Sequence, residues 1–176
     1  MTNAVGYYNF KKITTLLQTI ANRHEQVQSY GIGDIKQLGY YVTERLKQDN
    51  TEENLAPYFP MLFVIPGKAS NDGKQTIYDF QILCMDLLNT KNLENEVDVW
   101  SDTLDILKDV FGQLRYSLDE CYTNWDLRVP IDFLPFSESY DEYVSGWNAQ
   151  FKLVIPDAID RCIAPFDVFP PCIDQS

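Results

Sequence analysis

Apolar residues recur along the chain with two periods, and the longest helical repeat runs over Asn92–Tyr116. Leu93, Val97, Trp100, Leu104, Leu107, Phe111 and Leu114 follow one another at intervals of four and three, which places them on one helical face. The opposite face is acidic, with Glu94, Glu96, Asp98, Asp102, Asp105 and Asp109. Asn92 is a fitting N-cap, and the early glutamates suit the positive end of the helix dipole. Burying each apolar side chain is worth ~1.5–3 kcal/mol. Fixing every residue of the backbone costs ~1–2 kcal/mol. The stripe therefore does not sustain a helix alone; it needs a surface to lie on.

The flanking segments supply such a surface. Phe10, Ile13, Leu17, Ile20 and His24 share a helical face, which predicts a helix from Asn9 to about Arg23. A short strand is expected at Gln26–Tyr30. Gly31-Ile32-Gly33-Asp34 then makes a turn with an N-cap, and Ile35, Leu38, Val42 and Leu46 predict a second helix over Asp34–Lys47. Gln48–Pro57 is a polar loop. Tyr58–Ile65 is a nearly unbroken apolar run and reads as a strand buried on both faces. A turn over Gly67–Gly73 leads to a returning strand, Thr76–Leu88. There Tyr78, Phe80, Ile82 and Cys84 share one side, and Ile77, Leu83 and Met85 the other. After the long helix, Cys121 falls in a loop over Ser117–Trp125.

Leu127–Phe133 and Trp147–Ile155 alternate apolar and polar residues and predict two more strands, joined by an acidic link carrying Glu138, Asp141 and Glu142. Pro130 cannot donate to a ladder, so its strand belongs at an edge. The whole is one α+β domain over residues 1–156: a mixed, mainly antiparallel sheet of about five strands with two to three helices packed on one side. Residues 157–176 differ. Pro156, Pro165, Pro170 and Pro171 forbid a long helix, yet Ile159, Ile163, Phe166, Val168, Phe169 and Ile173 are too apolar for a solvated tail. This extended C-terminal arm lies either on its own domain or on a neighbouring subunit.

Composition narrows the function. The chain is 45% hydrophobic, enough for a core across 176 residues. Fourteen basic residues face twenty-six acidic ones, a net charge of −12 that opposes a DNA-gripping surface but suits a wall that repels passing DNA. No run approaches the ~20 apolar residues of a membrane span, and no signal peptide is expected. Cys84, Cys121, Cys162 and Cys172 form no CxxC and His24 is the sole histidine, so neither a zinc site nor a cofactor is expected. Reduced thiols are expected, with Cys84 buried in its strand. His24 reads as a packed or solvated residue whose only nearby carboxylate in sequence is Glu25. The glycines at 31 and 33 lack the lysine of a phosphate loop and the full dinucleotide pattern. The acidic residues of the long helix read as its wet side, although paired carboxylates leave a hydrolase conceivable.

Several motifs together resemble a known family. These are Val64-Ile65-Pro66-Gly67 at a strand end, Tyr78-Asp79-Phe80-Gln81-Ile82 with Met85-Asp86 in the next strand, and Ser101–Asp109 on the helix. Phe136-Ser137-Glu138 ahead of Gly146-Trp147, and Asp160-Arg161-Cys162 with Pro165, complete the set. Over most of Phe10–Pro165 they resemble small head-to-tail connector proteins of tailed bacteriophages, nearest to neck and tail structural proteins of crAss-like phages. The arrangement is also similar to the tail-terminator fold, a sheet with helices on one side. The resemblance implies a non-enzymatic virion protein that assembles in the host cytoplasm. It would form a homo-oligomeric ring in the neck or tail, between portal-side and tail-side proteins, around a channel that DNA traverses without sequence-specific binding. It further implies subunit contacts at Tyr7, Tyr8, Ile163, Phe166, Val168 and Phe169, and a channel-facing acidic set at Asp98, Asp102, Asp105 and Asp109. The alternative is a soluble monomeric module that binds a ligand or peptide on its sheet.

Overall fold

A computed structural model of the chain describes residues 10–42, 56–88, 95–116, 125–139 and 143–156. The described residues form a mixed six-stranded sheet with three α-helices, an α+β domain as expected. In chain order the elements are α1 (Phe10–Arg23), β1 (Ser29–Ile32), α2 (Ile35–Tyr40), a 3-10 turn (Ala56–Tyr58), β2 (Met61–Asn71), β3 (Gln75–Leu87), α3 (Asn95–Tyr116), β4 (Asp126–Leu127), β5 (Asp132–Ser139) and β6 (Tyr143–Pro156). The strands lie in the order β1-β2-β3-β6-β4, and β5 also pairs with β6. Only β1 and β2 run parallel; the remaining pairs are antiparallel.

β3 and β6 form the spine, paired over Gln75–Leu87 against Val144–Pro156. Alternation gives the sheet two dressed faces. On one face Leu62, Val64, Phe80, Ile82, Cys84, Ala149, Phe151, Leu153 and Ile155 meet Ile13 and Leu17 of α1 and Ile106, Leu107, Val110 and Leu114 of α3. On the other, Met61, Phe63, Leu83, Met85 and Val144 meet Leu38 of α2 and Val42 just after it. The two sides of β3 are therefore apolar as the sequence indicates, and Cys84 is a buried free thiol. Two helices, α1 and α3, share one face, within the expected two to three; α2 packs on the opposite face. It lies within the crossover that a parallel β1–β2 pair requires.

Several boundaries differ from expectation. The first strand is Ser29–Ile32, later than Gln26–Tyr30, because pairing with Met61–Val64 selects the apolar Gly31 and Ile32 end. β2 continues to Asn71 through a register shift between Pro66 and Ala69, so the turn shrinks to the residues around Gly73. Gly73 takes a φ of 92°, in the left-handed region that favours glycine. Asp72 accepts the Lys74 and Gln75 N–H groups at 2.9 Å each, which holds its carboxyl below the usual aspartate range. The predicted strand across Pro130 is split: β4 ends at Leu127 and β5 begins at Asp132, both on the outer side of β6. The edge position expected of Pro130 thus holds, but the proline interrupts the ladder rather than sitting in it. Glu138 lies in β5, not in a link; Asp141 and Glu142 lie outside the described residues.

Asp34 caps α2 as expected, accepting the Gln37 N–H at 2.7 Å while the Gln37 side chain accepts the Asp34 N–H at 2.8 Å. The end predicted for this helix, Lys47, lies outside the described residues. Gly146 of β6 lies opposite Met85 of β3 in close backbone approach. A Cβ there would collide with the Cys84 carbonyl oxygen and stand 2.9 Å from Met85 Cα. Backbone in a two-sided central pair has no room to retreat, so Gly146→Ala should destabilise the fold by at least ~1–3 kcal/mol. Chemical denaturation of the purified variant reads this directly.

Candidate functional site

The buried face of α3 overlaps the sequence stripe only in its C-terminal half and is rotated from it in the first turns. Val97 is 66% exposed, and Trp100 and Leu104 are only half-buried, whereas Val99, Thr103, Ile106 and Val110 are buried. A second series at 99, 103, 106 and 110 has the same four-three-four spacing, and the sheet selects the arc between the two. Thr103 is buried within that arc because its hydroxyl donates to the Val99 carbonyl at 2.5 Å, so no polar atom is stranded. Leu107, Phe111 and Leu114 are buried as expected. Phe111 contacts the rings of Phe133 and Phe151. Leu93 lies outside the described residues.

Polar ties fix α3 along its length. In its first turn, Glu96 Oε1 accepts the Ser137 hydroxyl of β5 and lies 3.3 Å from Ser145 Oγ of β6. Ser145, fully buried, also contacts Ser137 Oγ at 3.0 Å and donates to the Phe136 carbonyl at 3.0 Å. A hydroxyl has one proton to give. The consistent assignment has Ser137 donating to Glu96 and Ser145 donating to Phe136. Farther along, Trp147 Nε1–H donates to the Trp100 carbonyl at 2.7 Å, and Trp125 Nε1–H to the Leu114 carbonyl at 2.9 Å. His24 joins α3 to the end of α1: its Nδ1 accepts the Gln26 N–H at 3.3 Å, and its Nε2 faces Asp109 Oδ2 at 3.4 Å. The carboxylate beside His24 is therefore distant in sequence, a partner that local spacing does not reveal.

Asp86 lies beside this cluster, cross-strand from Ser145. Burial pushes its carboxyl above the usual aspartate range. The Leu87 N–H bond, at 2.7 Å, opposes this, and the Asp102 charge adds to it. Burial likewise raises the Cys84 thiol and the Tyr30 phenol. The buried Tyr30 hydroxyl, Trp100 Nε1 and Asn148 Oδ1 find no hydrogen-bond partner among the described residues.

Of the expected channel set, Asp98, Asp102, Asp105 and Asp109 are all exposed and lie along one flank of α3. Asp105 pairs with Lys108 at 2.8 Å, and Asp109 with His24. The expected subunit contacts Tyr7, Tyr8, Ile163, Phe166, Val168 and Phe169 lie outside the described residues, as do Cys121, Cys162 and Cys172. Among the described residues, no three His, Cys, Asp or Glu side chains group to hold a metal ion. No helix among them is long and apolar enough to cross a membrane. What the region can do chemically is present an acidic surface beside a carboxylate–hydroxyl cluster that anchors the helix.

No protein-family model matches the chain, and no curated protein matches it.

Two measurements probe this region. Glu96→Ala removes the carboxylate that accepts the Ser137 hydroxyl and should cost about 1–3 kcal/mol in equilibrium unfolding. Asp86 binds protons more readily in the native chain than in the unfolded one. Its contribution to stability therefore falls as pH rises from the unfolded aspartate value through its raised native value. Asp86→Asn keeps an acceptor for the Leu87 N–H and should raise Tm at pH 7, with the gain vanishing toward pH ~3. Thermal melts across that range check both ends.

Proposed function

We propose that this protein is a virion structural protein that forms a ring in the neck or tail of a tailed bacteriophage, around the DNA channel and between portal-side and tail-side components. The observation that carries the reading is the exposed acidic flank of α3, with Asp98, Asp102, Asp105 and Asp109 held on a sheet-and-helix domain. The motif resemblance leads to the same architecture. A duplex moving past such a flank meets like charge and does not adhere.

A closed ring is built from heterologous contacts, in which one patch meets a different patch of the next copy. β5 offers one outer edge, but a guarded one. Pro135 has no N–H, so it fits the β5–β6 ladder with its nitrogen turned outward, and the free edge lacks a donor there. Indefinite strand addition is discouraged, while side-chain contacts remain open.

In the host particle, replacing Asp98, Asp102, Asp105 and Asp109 together with lysine should leave rings that assemble but release the genome about tenfold more slowly or worse. Negative-stain microscopy reads assembly and a DNA-ejection assay reads release. Unchanged release removes the lining role. Infectious particles that lack the protein, or a chain that stays monomeric beside every virion component, overturn the ring itself.

A further inference from the structure

The rotation of α3 leaves an apolar flank that the core does not use. Val97 is exposed and Trp100 and Leu104 are half-buried, and none of the three packs on either buried cluster. Trp100 touches the sheet through Trp147, whose register partner on β5 is Pro135. Phe133 is half-buried and Pro135 exposed on the same sheet face, two positions apart. Val97, Trp100, Leu104, Phe133 and Pro135 thus form a shelf between α3 and the outermost strand. It lies on the flank of α3 opposite Asp98, Asp102, Asp105 and Asp109. The indole N–H of Trp100 is buried there with no acceptor among the described residues.

The chain beyond β6 has the reach and composition to fill this shelf. β6 ends at Pro156, and twenty residues follow. Phe133 is paired with Ala149 and Pro135 with Trp147, so the shelf begins seven residues back along β6 from Pro156, about 23 Å at ~3.3 Å per residue. An extended segment returning from Pro156 reaches that level at Ile163. Phe166, Val168 and Phe169 come next over about 20 Å of extended chain, about twice the helix length between Val97 and Leu104, so the segment folds within itself where Pro165 interrupts it. Pro165, Pro170 and Pro171 cannot donate to a ladder, which favours side-chain packing over strand addition.

We propose that residues 157–176 return across their own domain and seat Ile163, Phe166, Val168 and Phe169 on the shelf of Val97, Trp100, Leu104, Phe133 and Pro135. Docking within one chain needs no second copy, so the inference stands whether or not the protein forms rings.

A photoreactive benzoylphenylalanine at position 97 of the full chain tests it, with equal amounts of 14N- and 15N-labelled chains mixed before irradiation. Mass spectrometry should find position 97 joined to residues 163–169, with both peptides carrying the same isotope. Pairs of mixed isotope assign the shelf to a neighbouring copy and overturn the proposal. Crosslinks that avoid residues 157–176 also overturn it. Pro135→Glu, at an exposed position, places a carboxylate with no partner on the shelf and should lower the crosslink by at least about tenfold. Leu104→Glu should do the same. An undiminished crosslink in either variant, with an unchanged circular dichroism spectrum, counts equally against it.

Discussion

The seating of α3 on the β3–β6 pair is the interaction on which the rest of the domain depends. Ile106, Leu107, Val110, Phe111 and Leu114 close over Ile82, Cys84, Ala149, Phe151 and Leu153, and α1 completes the layer through Ile13 and Leu17. Apolar burial alone would tolerate sliding and rotation of a helix on a sheet. The polar ties remove that freedom. Glu96 binds the first turn to Ser137 of β5, Trp147 of β6 reaches the second turn, Trp125 just ahead of β4 reaches the last turn, and Asp109 meets His24 just past α1. The ties come from four separate parts of the chain, so together they fix both the position and the rotation of the helix.

The same rotation divides α3 into three surfaces with different physical character. One is buried against the sheet. A second carries Asp98, Asp102, Asp105 and Asp109 into solvent. The third, with Val97 and Leu104, is apolar and lies beside β5. A surface helix with one apolar stripe has no such third surface. α3 has one because two overlapping apolar series occupy adjacent arcs, and a helix lying on a sheet turns only one arc toward it.

The opposite sheet face obeys a different constraint. α2 is short and covers only the part where Met61, Phe63, Leu83, Met85 and Val144 gather. Farther along β6 the same face carries Asn148, Gln150 and Lys152, and Lys152 approaches Asp79 at 3.7 Å. The polar stretch of this face begins where α2 no longer covers it, and the face turns apolar again only at the buried Val154.

What the sequence determined by itself was local. Period-three-and-four spacing located α1 and α3, two-sided apolar character marked β3 as central, alternation marked β6 as half-wet, and Asp34 announced the cap of α2. Those signals act over a few residues and survive in a linear reading. Tertiary structure decided everything that required a choice between equivalent local options. Val97 and Val99 carry the same side chain, yet one is exposed and the other buried, because the sheet can receive only one arc of the helix. The Asp109 partner of His24, and the two serines that Glu96 gathers from β5 and β6, sit tens of residues away along the chain. Only the folded pairing of strands brings such groups within hydrogen-bonding distance.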